Sequence, residues 1–246
     1  MVTFNPKLFK YLNIGGRNFS QRNHRWLNLD YPFPSTKRKQ KEECIDVVHN
    51  LMSETSLPFP DNSFAGVYSE HCLEHLPFAV SKFTISEMFR ITKKGGVVRI
   101  SIPDSDLFYQ LMVGASSNTK GFPTQWIPGE SRSATEIFID VAMSPIITTI
   151  DLTEYYLYCK ENVKQKAFDR LDEAFDALKY TKEDQAKKPG HHISWWNEKR
   201  LTEVFNKSKA RSTAICKQNE SREAAFKSSY IDQTAPSCSI RIEAVK

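Results

Sequence analysis

Along the first hundred residues, short apolar runs alternate with turn-forming residues. Tyr11–Ile14 ends at Gly15-Gly16, Trp26–Leu29 ends at Asp30, and Ile45–Val48 ends near Asn50. Phe64–Ser69 follows the turn sequence Pro60–Ser63, and Gly96–Ile102 stops at Pro103. The runs are continuous rather than alternating in polarity, which is the pattern of strands buried on both faces of a parallel sheet. Between the fourth and fifth runs, Val80, Phe83, Met88 and Ile91 recur at helical spacing. Lys93-Lys94-Gly95-Gly96 then gives a basic last turn and a glycine stop, so the pattern predicts a helix over 79–92. Strand, helix and strand in that order imply a right-handed crossover.

The pattern changes after residue 112. Residues 113–135 are rich in Ser, Thr, Gly and Pro and read as a loop, whereas 136–187 carry long helical patterns. The stripe Phe168, Leu171, Phe175 and Leu178 is too charged in its surroundings to bury much by itself and needs another surface. After Pro189-Gly190 come a helix at Glu198–Phe205 and strands near Ser212–Cys216 and Ser239–Ala244. The expected architecture is α/β: a Rossmann-like, mostly parallel sheet with flanking helices and a helical insertion before the C-terminal strands. The expected organisation is a Rossmann-like core over residues 1–112, a loop and helical insertion over 113–188, and a return to the core over 189–246.

Composition narrows the class. The chain has 246 residues, 40% hydrophobic and 26% charged, ordinary values for a globular protein with a real core. No apolar run approaches the roughly 20 residues that span a bilayer, so no membrane partner is expected. The N-terminus lacks the basic-then-apolar layout of a secretory signal, and a cytoplasmic location is expected. The cysteines (Cys44, Cys72, Cys159, Cys216 and Cys238) are odd in number, with no CxxC pair, which favours reduced thiols over a disulfide framework or zinc cluster. The net charge of +5 is mild, and Lys37–Lys41 reads as a solvated loop, so a nucleic-acid partner is not expected.

Candidate chemistry gathers at the ends of the predicted strands, where doubly wound sheets bind ligands. Gly15-Gly16 lets backbone approach a ligand. Asp30 can accept hydrogen bonds from both hydroxyls of a ribose. Asn50 and Leu51 offer an amide and an apolar surface suited to an adenine ring. Singly, Gly-Gly is a turn and Asp30 a surface acid. Jointly, their order points to a nucleoside cofactor.

These pieces resemble class I S-adenosylmethionine-dependent methyltransferases, specifically compact bacterial members. The resemblance rests on LNIGG (Leu12–Gly16), WLNLD (Trp26–Asp30), DVVHNL (Asp46–Leu51), LPFPDNSFAGVYSEHCLEHL (Leu57–Leu76) and EMFRITKKGGVVRISIPD (Glu87–Asp104). Gly190–Phe205 and Ser239–Lys246 look similar too. It implies S-adenosylmethionine as cofactor and methyl transfer to a small-molecule or carbohydrate hydroxyl. It further implies that Gly15 and Gly16 approach the amino-acid part of the cofactor, Asp30 holds the ribose, and Asn50 and Leu51 flank the adenine. Ser69, Glu70 and His71 would border the methionine moiety and the acceptor. The chain departs from the pattern in three places. Gly15-Gly16-Arg17-Asn18 lacks the later glycine, and Arg17 is placed to reach the cofactor carboxylate instead. About ten residues separate Gly16 from Trp26, barely enough for a parallel crossover. Ala65 stands where the family often has Asp.

For a hydroxyl acceptor, His71 is the first candidate general base, followed by His191 and His192. Trp195 and Trp196 either wall a pocket or anchor the core. Asp104 either faces the acceptor or caps the next helix. Two other readings stay open: a nucleotide- or NAD-binding enzyme, which Asp30 fits equally although the G-x-G-x-x-G loop is absent, and a non-catalytic binding protein that kept the fold. His71–His75 also spells H-x-x-E-H, a zinc-peptidase pattern. It follows a predicted strand directly, Pro77 comes two residues later, and no third ligand stands at a telling spacing. No metal is therefore expected, and Glu74 and His75 are expected to close the strand-to-helix turn.

Overall fold

The computed structural model describes residues 8–15, 25–32, 45–227 and 231–246. Its strands are β1 (Tyr11–Ile14), β2 (Trp26–Asp30), β3 (Val47–Val48), β4 (Phe64–Glu70), β5 (Thr92–Pro103), β6 (Ser212–Ile215) and β7 (Ser239–Val245). They form one sheet in the order β3-β2-β1-β4-β5-β7-β6. β3 through β5 are parallel, and β7 runs antiparallel between β5 and β6. This is the expected Rossmann-like sheet. The short span between β1 and β2 suffices for a parallel pair, with Tyr11 beside Trp26 and Ile14 beside Leu29.

The apolar runs are buried because the sheet is covered on both sides. Leu12, Ile14, Leu27, Leu29, Val67, Val98 and Ile100 pack with Val80, Ile85 and Met88 of α1 (Phe78–Ile91) and Leu201, Val204 and Phe205 of α7 (Glu198–Lys207). Each such side chain removed from water contributes about 1.5–3 kcal/mol. A second cluster, with Trp26, Tyr68, Val97, Phe226 and Ile231, is separate from the first.

Two boundaries differ from the sequence pattern. The third strand is only Val47–Val48, because Asp46 turns its carboxylate onto the Asn28 backbone N–H and side-chain amide. The α1 helix ends before the lysines and glycines. Thr92 is already extended and pairs with Phe64, and its hydroxyl donates to the Met88 carbonyl, so a β-branched residue makes the stop. Gly95 then turns with φ +75 inside the long β5.

Between β5 and α7 lie α2 (Ser105–Met112), α3 (Ala134–Met143), α4 (Leu152–Glu161), α5 (Lys164–Leu178) and α6 (Lys182–Lys187). These helices share an apolar cluster of their own, built on Phe108, Phe138, Tyr155, Phe168 and Leu171. The surface that the α5 stripe needs is there: Phe168 stacks on Trp195 at 4.2 Å. The Trp-Trp pair divides between the layers, Trp195 into this cluster and Trp196 into the sheet core. Both are buried. Among the described residues, no helix is long and apolar enough to cross a membrane.

Candidate functional site

Parallel pairing brings the C-terminal ends of β1, β2, β3 and β4 to one edge, in register. Ile14 lies beside Leu29 and Ser69, and Asp30 beside Val48. Strand order reverses between β1 and β4, so a topological switch point sits at this edge. Gly15 follows β1 with φ +76, a conformation open to glycine, and its N–H donates to the Leu29 carbonyl. A Cβ there would meet the Cys72 Sγ at 2.3 Å, so the turn after β4 presses directly on the end of β1. Asp30 is partly exposed at the tip of β2, with Oδ1 accepting from the Tyr31 N–H at 2.7 Å. Gly16 and Arg17 lie outside the described residues.

The other predicted contacts have structural partners. The Asn50 side chain accepts from the Met52 N–H and caps a short 3-10 turn, Leu51–Ser53. Leu51 is half-buried against the sheet core. The fully buried Ser69 hydroxyl donates to the Ile14 carbonyl and ties β4 to β1. Glu70 accepts from the Thr234 N–H at 2.5 Å, and burial raises its carboxyl. Asp104 accepts from the Asp106 N–H and caps α2.

Beyond β4 the chain makes a tight turn at His71, whose φ of +45 is unusual for a side-chain-bearing residue. The following 3-10 turn, Leu73–His75, is locked by the carbonyl of Glu74, which accepts from the N–H groups of Ile193 and Ser194. That contact brings His71, Glu74, His75 and His192 together. His71 Nδ1 lies 3.4 Å from Glu74 Oε1, and His75 Nε2 lies 3.9 Å from the same atom. The His75 and His192 rings meet edge to face at 4.9 Å. His71 is also stacked near Trp126, at 6.4 Å and 15°. Burial, then the positive potential of His192, His75 and Arg241, pushes the His71 imidazole down to about 3. Burial pushes the Glu74 carboxyl up to about 8 and lowers His192. His191 stands apart on the partly exposed side, its Nδ1 3.4 Å from the Tyr180 hydroxyl. The structure thus unites His71 and His192, places His191 at the margin, and adds Glu74, His75 and Trp126. Trp126 falls in the segment read as a polar loop, where it and Phe122, both packed on Phe108, are the aromatic signals the sequence offered.

A groove of about 530 Å³, lined by Arg90, Lys94, Lys209 and Arg211 among others, opens elsewhere, by the start of β5. It is not part of this edge, where ligand chemistry and strand topology coincide.

A family model described as a methyltransferase domain matches residues 17–100. That span runs from just after Gly16 into β5 and includes Asp30, Asn50 and the turn at His71. No curated protein matches the chain. A solved structure of a SAM-dependent methyltransferase from Archaeoglobus fulgidus is 15% identical, with 98% of this chain and 87% of that one covered and a TM-score of 0.45. Another, a SAM-dependent methyltransferase and possible histamine N-methyltransferase from Thermotoga maritima, is 12% identical, with 96% and 82% covered and a TM-score of 0.43. Neither says anything of this chain's substrate. Residues 17–100 thus match a methyltransferase-domain model, which agrees with the enzyme class and cofactor that the resemblance implies, S-adenosylmethionine-dependent methyl transfer.

Proposed function

From a methyltransferase domain as premise, we propose that this chain transfers the methyl group of S-adenosylmethionine to a hydroxyl of a small molecule or sugar. The observation that supports it most is the in-register convergence of the β1, β2 and β3 ends, with Gly15 and Asp30 side by side at the switch point. The residues described there fit an adenosyl group. Asp30 offers a carboxylate to the ribose hydroxyls, Leu51 supplies an apolar flank, and Gly15 makes the turn that ends β1. The bound cofactor supplies a methyl group on a sulfonium, already strongly electrophilic.

The protein's task is then alignment and water exclusion. His71 and Trp126 form the wall nearest the end of β4, and the insertion from α2 to α6 closes over that side as the lid that selects the acceptor. A histidine held near 3 is a weak base at neutral pH, and both His71 ring nitrogens face the protein, so His71 shapes the wall rather than deprotonating an acceptor hydroxyl. His192 has its Nδ1 at the Val141 carbonyl and acts as a support for the wall. His191, at the margin and nearer to solvent, is the remaining base.

The test is methyl transfer from labelled S-adenosylmethionine to panels of sugars, phenols and amines. Label on a hydroxyl acceptor, reduced by His191→Ala, is the expected result. Label only on amines or carbon acids would overturn the hydroxyl assignment.

A further inference from the structure

We infer that Glu74, His75 and His192 form a binding site for a divalent metal ion of the zinc type, a site that goes beyond the methyl-transfer reading and does not depend on it. One atom from each of the three side chains lies within 4.8 Å of the others. The decisive feature is Glu74. Its side chain is buried, and neither carboxylate oxygen has a hydrogen-bond partner. Buried carboxylates without donors are rare because the lost hydration is not replaced.

The neighbours do not supply a donor. His75 Nδ1 faces the His191 carbonyl at 3.0 Å, and His192 Nδ1 faces the Val141 carbonyl at 2.7 Å. A ring nitrogen facing a carbonyl carries the proton, so in both rings Nε2 holds the lone pair. His71 follows the same logic. The Ser239 hydroxyl donates to the Ala235 carbonyl, so it accepts from His71 Nε2 at 2.7 Å, which leaves the lone pair on Nδ1, 3.4 Å from Glu74. Arg241, the cation that bears on His71, donates to the carbonyls of Ser239 and Pro236 and lies beside Asp232. Imidazole nitrogens therefore face a buried carboxyl that has no hydrogen-bond partner, and a metal ion held by Glu74, His75 and His192 answers it.

Two imidazoles and one carboxylate match the ligand set of zinc sites that keep an open position, and imidazoles donating their other N–H to backbone carbonyls are the usual outer support of such sites. Zinc–ligand bonds of about 2.0–2.2 Å require the three groups to draw together. The partly exposed His75 has room to do so. His71 then flanks the open position. The peptidase motif placed both histidines on one helix, and the fold instead recruits His192 from beyond the insertion. Because His192 is joined to Ser144 by two hydrogen bonds, the ion would link the turn after β4 to the end of α3.

The full chain, stripped with a chelator, is titrated with zinc against a chromophoric chelator, and cobalt is added separately to read the visible spectrum of the site. One ion per chain is expected, with a cobalt spectrum of low coordination number. Glu74→Gln and His192→Ala should each weaken zinc binding roughly a hundredfold. Circular dichroism shows whether each variant folds, and the size-matched Glu74→Gln decides if His192→Ala does not. A folded wild-type chain that takes up no zinc at about 10 µM free metal overturns the site. So does undiminished binding by folded Glu74→Gln.

Discussion

Two groups of buried ionisable side chains, one centred on Arg99 within β5 and one on Glu74 in the turn after β4, are built in opposite ways. Around Arg99 every group is answered. Its guanidinium donates to Asp232 at 2.5 Å, to Glu243 at 2.7 Å and to the carbonyls of Glu220 and Lys217. Asp232 also accepts from the Tyr68 hydroxyl, and Glu243 from the Arg222 N–H. Around Glu74 three imidazoles gather and the carboxyl has no hydrogen-bond partner. The first group is closed and holds the C-terminal strand and its preceding loop to the sheet. The second is open, and it lies in the turn that follows β4. Burial of charge alone does not mark a functional site; the Arg99 group is explained by its own hydrogen bonds, whereas the Glu74 carboxyl is not.

The largest effect separates the two groups directly. Arg99→Met strands two buried carboxylates and should cost about 3–5 kcal/mol of stability, read by urea unfolding. Glu74→Gln replaces a buried carboxyl without a hydrogen-bond partner by an amide of the same size and, in metal-free protein, should leave stability unchanged or raise it. Equal losses in both would erase the distinction. A smaller effect is expected where the groups meet the cofactor edge. Gly15→Ala forces a side chain into positive φ and onto Cys72, so about 1–3 kcal/mol should be lost and S-adenosylhomocysteine binding weakened. Full stability and affinity would show that β1 and the turn after β4 are less tightly apposed.

The smallest effect concerns an intermediate case. Asp104 is partly buried and faces the backbone N–H groups of Asp106 and Leu107, yet burial, then Asp106, raises its carboxyl to about 6 from an ordinary 3.8. Because the folded state keeps this proton longer than the unfolded chain, its contribution is fully present below pH 3.8 and is lost as pH rises to about 6. The slope is at most about 1.4 kcal/mol per pH unit. Asp104→Asn keeps the cap and should flatten that part of the stability–pH curve. An identical curve would assign the dependence to another group.

Much of the fold could be read along the chain because its signals are local. The apolar runs of β1, β2 and β4 begin at the residues expected, and their polar ends fall on one edge because the strands are parallel. The end of α1 was less legible, since Thr92 is drawn into the sheet by its pairing with Phe64, a contact no helix signal reports. The ligand edge was legible as positions but not as contacts: Asn50 and Ser69 sit where expected, with their polar atoms engaged by the chain itself. The histidine cluster was half legible. His71, Glu74 and His75 stand together in sequence, whereas His192 arrives only because Ile193 and Ser194 donate to the Glu74 carbonyl across the whole insertion. Trp126 joins them by the same tertiary route.

The central claim is that the β1, β2 and β3 tips hold one adenosyl group. It is tested most directly by calorimetric titration of wild-type protein and Asp30→Ala with S-adenosylhomocysteine, with NAD and a UDP-sugar as comparison ligands. Saturable binding of S-adenosylhomocysteine alone, weakened at least tenfold by the substitution (about 1.4 kcal/mol), is the predicted result. An unchanged dissociation constant in Asp30→Ala, or preference for NAD or the UDP-sugar, would contradict it.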